Sequence, residues 1–458
     1  MRARPWQAAL GLVWAAWAGW AVWTTPAVPF HPDEATHIYL SADFDRLVYG
    51  LDPAGVTWQA ADALEDVRRY RLLEAPLSRY LIGLGRGLMG YAGQQLAVDW
   101  DWSASWAANA TAGAVPDAGL LRAARLPAAL LTVLAPLLLY DLGRRLTNDA
   151  GGAAAAGLLA CSGAALLHGR RAMSEGPLLF CGLVAGWLAV RLMQHWAGSD
   201  EPHAGTARRL IAAPALLGAA MALAGAAKLT GWALLPVAAV AVVAPPRAGR
   251  WSWAVRLGVF LAAATLAAWA LNPALWSAPV GGLRAMAAAR AELLAEQSAA
   301  IRAAGAGHVL RGPVEHGLAE LYHTYLAPLA YWDIPNYAAE TAPDERAYEA
   351  NRLNTGLRFG GAGPRLAAGG AFLALGLAGV VFAGVRFLRA GPSAAQREAR
   401  WPMLLLAAWT AATVVGLFAF DIAWQRYYLP LLPLACLWAG YAVGELTGRW
   451  RTRVIRRS

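Results

Sequence analysis

Ten apolar stretches run through the 458-residue chain, near residues 8–24, 122–142, 151–168, 176–194, 210–227, 231–245, 254–272, 366–388, 402–420 and 428–446. A helix of about 20 apolar residues spans the hydrocarbon core of a bilayer, and shorter or tilted ones are accommodated. Inside hydrocarbon every backbone N–H and C=O must be paired within the protein, so such runs fold as helices and not as open sheets. With 58% hydrophobic and only 15% charged residues, the composition excludes an ordinary soluble domain. The expected fold class is an all-α polytopic membrane protein: a single membrane-embedded domain over residues 1–458, with about ten transmembrane helices. The first run follows Arg2 and Arg4, lacks a convincing cleavage site and reads as an uncleaved span. Its Trp14, Trp17, Trp20 and Trp23 recur every third residue, a spacing that drifts around a helix and is expected to face lipid or the interface. Pro76–Tyr91 is apolar but broken by Arg79, Gly83, Gly85, Arg86 and Gly87, which suits an interfacial helix.

Arginine sets the orientation. Arg2 and Arg4, Arg144 and Arg145, Arg208 and Arg209, Arg247 and Arg250, Arg386 and Arg389, and the terminal RWRTRVIRRS all fall on one side of a ten-span arrangement. By the positive-inside rule both ends are cytoplasmic, and the two large loops, 25–121 and 273–365, face outward. Those loops hold 12 and 9 of the 29 acidic residues. The net charge of +10 therefore reads as membrane anchoring and not as a nucleic-acid surface. Cys161, Cys181 and Cys436 sit in apolar runs at no ligand spacing, so neither a disulfide framework nor a zinc site is expected. A transporter would place its polar groups near the membrane midplane, often in paired repeats. Charge at the span ends and in two outer loops points instead to a membrane-embedded enzyme with an outward site. Its expected location is a plasma membrane such as the bacterial inner membrane.

Within the first loop, FHPDEATHIYLS (Phe30 to Ser41) sets Asp33 and Glu34 side by side between two histidines. As local structure this is a helix start, with His31 as cap, Pro32 in the first turn and carboxylates at the positive end of the helix dipole. As chemistry it is a paired-acid motif, with His37 on the Asp33 face four residues later. Five further patterns follow in order: LLEAPLSRYLIGLG from Leu72, LLRAARLPAALLTVLAPLLLYDLGRRL ending at Leu146, RRAMSEGPLLF from Arg170, then AGAAKLTGWALLP and WQRYYLPLLP. Lys228 in the fourth is the only lysine beside a large excess of arginine.

Together these motifs resemble the glycosyltransferases that use a lipid-phosphate sugar donor, the protein O-mannosyltransferases and the aminoarabinose transferases of lipid A. The resemblance covers roughly residues 8–275 and 400–440. It implies the membrane-embedded GT-C fold, with interfacial helices in the outer loops and an acidic motif in the first. Asp33 and Glu34 match that acidic pair, Glu74 matches the acid before a proline-leucine motif, and Lys228 and Arg426-Tyr427 match basic positions near the donor phosphate. Where the aminoarabinose transferases carry a lysine after that glutamate, this chain has Ala75.

The chemistry such an enzyme needs agrees with those positions. Transfer from a polyprenyl phosphate takes a base for the acceptor hydroxyl and positive charge where phosphate leaves. Asp33 is the expected base of an inverting transfer, and Lys228 and Arg426 the expected clamp. Glu34, Glu74 and His37 are the expected ligands of a divalent metal cation. The expected partners are a polyprenyl-phosphate sugar donor, a lipid, glycan or protein acceptor, and membrane lipids. The competing readings are a ligase or polymerase of a diphosphate-linked glycan, and a lipid or solute transporter. Each residue also has a plain structural alternative: Glu74 paired with Arg71 or Arg79, Lys228 snorkelling to headgroups, Arg426 and Tyr427 as interface anchors. Arg170, Arg171 and Glu175 read as the outer boundary of two spans. His316 and His323 share a face if helical, and two exposed loop histidines are expected not to bind metal. Asn109-Ala110-Thr111 has the form of a glycosylation acceptor and is given no role.

Overall fold

The computed structural model describes residues 5–59, 66–197, 206–243, 250–304, 309–332, 337–351, 354, 359, 361–389 and 400–455. After α1 (Pro5–Trp23), the first large loop folds as α2 (Pro32–Leu40), α3 (Ala42–Val48), α4 (Asp66–Leu73), α5 (Pro76–Leu88) and α6 (Trp106–Ala112). The central helices are α7 (Ala118–Leu146), α8 (Asp149–Ala160), α9 (Gly163–His168), α10 (Glu175–Ala197), α11 (Thr206–Ala227), α12 (Leu235–Val243) and α13 (Arg250–Leu271). The second large loop supplies α14 (Pro279–Ala304), α15 (Gly312–Leu321) and α16 (Ala338–Ala350), followed by α17 (Pro364–Arg389) and helices Trp401–Leu417 and Leu432–Ile455. The expected all-helical membrane fold is present. Among the described residues the β structure amounts to an isolated antiparallel bridge, Val309 to Ile422.

The apolar stretches fold as helices of unequal length. Among the described residues five helices are long and apolar enough to cross a membrane: Ala118–Leu146, Glu175–Gln194, Trp253–Leu271, Pro364–Arg389 and Gln425–Trp450. Ala8–Trp23, Ile211–Ala227, Leu229–Val243 and Trp401–Leu417 are shorter apolar helices. The stretch expected at 151–168 is two helices, because α8 stops at Ala160 and the Ser162 hydroxyl caps a new helix by accepting from the Ala165 N–H at 3.3 Å. The stretch expected at 231–245 begins as a 3-10 turn, Leu229–Leu234, after Lys228 in extended backbone. That break turns Lys228 out of helical register.

The glycines of α5 are its packing face: a Cβ on Gly85 would lie 2.4 Å from the Ala123 carbonyl oxygen, and one on Gly83 would lie 2.3 Å from Phe44. The helix therefore closes on α7 and α3 along this face, with Arg79 and Arg86 buried and Leu84 and Leu88 exposed. The tryptophans of α1 correct an expectation about surfaces. In α1, Trp14, Trp17 and Trp20 are partly buried against Val133 and Leu166, and the Trp14 indole N–H donates to the Val133 carbonyl at 3.1 Å. Only Trp23 of the four is strongly exposed.

The main core joins Leu139, Leu159, Leu183, Met221, Phe260, Phe372, Trp409 and Tyr441 across these helices. In lipid the hydrophobic effect gives no drive for one helix to leave its surroundings for another, so close packing and backbone approach hold the bundle. α8 meets the helix Leu432–Ile455 in this way, at Gly151 and Gly440; Asn148 adds a hydrogen bond to the Gly444 carbonyl at 2.8 Å. The two large loops fold together at one end. Arg69 pairs with Glu296 at 3.0 Å, Ser277 donates to the Trp58 carbonyl at 2.8 Å, and the Trp100 indole N–H donates to the Tyr337 hydroxyl at 3.3 Å.

A Cβ at Gly440 would lie 2.5 Å from the Gly151 carbonyl oxygen, whereas Gly384 has nothing within 4 Å. Gly440→Ala is therefore expected to destabilise the protein by about 1–3 kcal/mol. Gly384→Ala is expected to be neutral or slightly stabilising. Thermal unfolding in detergent micelles separates the two.

Candidate active site

The neighbouring carboxylates of the first loop have different fates because a helix start sets their directions. His31 caps α2: its Nδ1 accepts the Asp33 N–H at 3.1 Å, while the Glu34 carboxylate accepts the His31 N–H at 3.1 Å. This capping box turns Glu34 inward. Its oxygens take a two-pronged pair from Arg125 of α7 at 2.7 and 2.6 Å and the Ala172 N–H at 2.8 Å. Arg125 also donates to the carbonyls of Val28 at 2.7 Å and Thr25 at 3.2 Å. Burial pushes the Glu34 carboxyl upward in pKa, but the Arg125 charge and hydrogen bonds, with Arg171 and the Ala172 N–H, hold it below its ordinary value. Glu34 does not line the site cavity, and the expectation of a catalytic or metal-ligating Glu34 is corrected: its oxygens are taken by Arg125 and two backbone donors.

Asp33 points the other way, into a cavity of about 650 Å³. The walls of this cavity bring together six of the seven expected site residues: Asp33, His37, Glu74, Lys228, Arg426 and Tyr427. The remainder comes from Thr36, Tyr70, Trp102 and Ser174, from the Arg290–Ile301 face of α14, and from Gly416, Phe420 and Trp424. Asp33 makes an ion pair with Arg426, 393 residues later in the chain. Arg426 is aimed by its neighbour: the Gln425 amide donates to the Pro328 carbonyl at 3.0 Å and accepts the Ala330 N–H at 2.8 Å. The Arg426 guanidinium lies 5.3 Å from the Trp424 ring centre and 5.6 Å from that of Tyr427.

Lys228 is not snorkelling to headgroups. Its ammonium is 2.7 Å from Glu175 Oε1 and 5.0 Å from the centre of the Tyr427 ring. Glu175 opens the apolar helix Glu175–Gln194, as expected of a span boundary, and at 2% exposure it is also the buried counter-ion of the chain's one lysine. Arg170 and Arg171 are fully buried braces, Arg170 on the Tyr348 hydroxyl at 2.9 Å and Arg171 on the Tyr331 carbonyl.

The alternative for Glu74, a pair with Arg71 or Arg79, is not what forms. Both arginines hold the buried Asp43 carboxylate, Arg71 at 3.0 and 2.7 Å and Arg79 at 2.8 Å. Arg79 also donates to the Glu74 backbone carbonyl at 2.6 Å, so the segment is anchored while its side chain lines the cavity. Asp99 is a residue that sequence reasoning missed. It accepts hydrogen bonds from Thr36 and Tyr70, both of which line the cavity, and burial raises its pKa above the ordinary aspartate value. No sequence signal separated it from the other loop acids.

The residues present do not fit the expected metal. Among the described residues no group of three or more His, Cys, Asp and Glu side chains could hold an ion. His316 and His323 pack on aromatic rings, His316 5.2 Å from Phe418 and His323 stacked on Tyr428 at 4.9 Å.

Comparison with known proteins agrees with the motif resemblance. A family model described as dolichyl-phosphate-mannose-protein mannosyltransferase matches residues 66–245. No curated protein matches the chain. Similar solved structures include the Archaeoglobus fulgidus oligosaccharyltransferase in complex with Zn and sulfate, at TM-score 0.48 and 16% identity over 83% of this chain and 42% of that one. The Saccharomyces cerevisiae protein O-mannosyltransferase Pmt1-Pmt2 complex bound to the sugar donor has TM-score 0.39 and 14% identity over 57% of this chain and 33% of that one. ArnT from Cupriavidus metallidurans bound to undecaprenyl phosphate has TM-score 0.38 and 15% identity over 95% and 78%. The chain spans less than half the length of the oligosaccharyltransferase it matches.

The Glu34 environment makes a prediction about acid stability. Because its folded-state pKa lies below the ordinary 4.5, its contribution is complete above that pH and is lost as pH falls through the folded value. Glu34→Gln is expected to lower stability at neutral pH by about 3–5 kcal/mol, since Arg125 keeps its charge without a carboxylate. It is also expected to flatten the acid limb below pH 4.5, leaving the slope due to Asp43, whose pKa is likewise lowered by Arg79 and Arg71 against burial. Unfolding midpoints across pH check both.

Proposed function

We propose that the protein is a membrane glycosyltransferase that moves a sugar from a polyprenyl-phosphate donor to an acceptor hydroxyl on the extracytoplasmic face. The observation that carries this reading is the pairing of Asp33 with Arg426 in one cavity with Lys228. A base for the acceptor and two cations for a phosphate meet beside apolar helices that a polyprenyl chain can follow. The match to the dolichyl-phosphate-mannose-protein mannosyltransferase model supports the donor class.

The donor phosphate competes with Asp33 for Arg426. When phosphate takes the guanidinium in a planar, two-pronged contact, Asp33 is released from its cation and becomes the stronger base. The acceptor hydroxyl gives its proton to the Asp33 carboxylate while its oxygen attacks the anomeric carbon. The bond from that carbon to the phosphate oxygen breaks, and polyprenyl phosphate leaves with the bonding electrons. One displacement inverts the anomeric centre, as in transfers that use no covalent sugar–enzyme intermediate. Lys228 and Arg426 stabilise the phosphate charge as it develops, and the low dielectric of a half-buried site strengthens them. Glu175 holds Lys228 in place. His37 and Glu74 line the acceptor side. The arginine on the opposite face supports an outward site, in a plasma membrane such as the bacterial inner membrane.

In membranes supplied with radiolabelled polyprenyl-phosphate sugars, Asp33→Asn is expected to cut transfer by about a hundredfold or more while the protein accumulates normally. Lys228→Ala and Arg426→Ala should each reduce transfer at least roughly tenfold, and Arg426→Lys should recover only part. Transfer at the native rate in Asp33→Asn removes Asp33 as the base. Sidedness is read separately. In a background free of cysteine, single cysteines at Ala54 and Ala278 should react with an impermeant thiol reagent on intact cells, and one at Trp450 should not. The reverse pattern would put the site in the cytoplasm.

A further inference from the structure

We infer that Trp102 is the platform on which the donor's sugar ring lies, an assignment that rests on the glycosyltransferase reading of the same cavity. Three tryptophans occur within seven residues of the first loop, Trp100, Trp102 and Trp106. Trp100 is buried in an aromatic cluster with Phe30, Trp106 and Tyr337. Trp102 is 37% exposed and lines the same cavity as Asp33; His31 links the two, 6.5 Å from the Trp102 ring between centres and 4.0 Å from the Asp33 carboxylate.

Its position is built. Asn109 clamps the preceding residue from both sides: its carbonyl oxygen accepts the Asp101 N–H at 2.8 Å, and its amide donates to the Asp101 carbonyl at 2.8 Å. The Asp101 carboxylate then accepts the Ser103 N–H at 2.8 Å and hydroxyl at 2.7 Å, fixing the following turn. The indole rests against Tyr337 at 6.1 Å and His31 at 6.5 Å between ring centres. A ring held this way loses little freedom when a ligand covers it.

Of the other aromatic walls, Tyr70 is tied through its hydroxyl to Asp99, and the rest are engaged by cations. Tyr427 faces Lys228 and Arg426, Trp424 faces Arg426, and Phe420 faces Arg290. Among the described residues Trp102 has no cation over its ring, and it shares its neighbour His31 with the Asp33 carboxylate. A pyranose presents a face of C–H groups that an indole covers well. The electron-rich ring also favours the positive charge that develops on the sugar as phosphate leaves. With phosphate at Lys228 and Arg426, and Asp33 next to Arg426, the sugar lies on the Asp33 side of the phosphate, where Trp102 stands.

The test compares equilibrium binding of dolichyl-phosphate mannose and of bare dolichyl phosphate to the full chain in lipid nanodiscs. The wild type is expected to bind the mannosylated carrier more tightly. Trp102→Leu should weaken dolichyl-phosphate mannose by about three- to tenfold and leave dolichyl phosphate within about twofold, and Trp102→Phe should retain most of the preference. Unchanged dolichyl phosphate binding is the control for folding; Trp102→Gln, a polar replacement at this exposed position, takes the place of the leucine variant if that fails to accumulate. Equal binding of both carriers by wild type and variant overturns the platform, as does an equal loss of both. So does a variant changed only in its KM for acceptor. A wild type that binds neither carrier overturns the glycosyltransferase reading itself.

Discussion

The buried pair between Glu34 and Arg125 is the interaction on which the site geometry rests. It joins the first loop, the longest helix and the turn at Ala172, which otherwise belong to separate parts of the chain. Two charges taken out of water are costly, and the contact is tolerable only because the remaining donors and acceptors are used. Here they are: Arg125 reaches three backbone carbonyls besides the carboxylate, and Glu34 takes two backbone N–H groups. With Glu34 turned inward, the capping box leaves Asp33 on the opposite side of the helix start. One residue of the acidic pair builds the wall and its neighbour faces the cavity.

The same economy of charge runs through the rest of the site. Asp43 holds Arg71 and Arg79, Asp45 holds Arg86, Glu175 holds Lys228, and Asp33 holds Arg426. The first two are closed structural units in which every partner lies within the first loop. The last two join the spans to each other or to the loop, and both open on the cavity. That difference separates charges enclosed within the loop from charges that border the cavity.

Much of the site was legible in the amino-acid order. Of the six expected residues that line the cavity, Lys228, Arg426 and Tyr427 stand where apolar runs stop, and Asp33, His37 and Glu74 lie in the acid-rich first loop; both features are readable without a structure. Glu34 misled because adjacent carboxylates look equivalent in sequence; only the direction each takes from α2, and the arrival of Arg125 ninety-one residues later, distinguishes them. Glu175 and Asp99 were underweighted for a related reason: a carboxylate's role depends on which side chain lies opposite. The glycines of α5 looked like interruptions and are contacts, since their use depends on the helix that approaches them.

The sequence alone determined the helical membrane fold, the concentration of acids in two loops and the positions where chemistry had to be sought. These follow from local quantities: the length of apolar runs, the need to pair backbone groups in lipid, and the side on which arginine accumulates. Only the tertiary structure decided how many helices are long enough to span, that residues 151–168 break, and which charge meets which. Those depend on contacts between segments tens to hundreds of residues apart, and an ion pair such as Asp33 with Arg426 has no trace in the chain until the helices close around it.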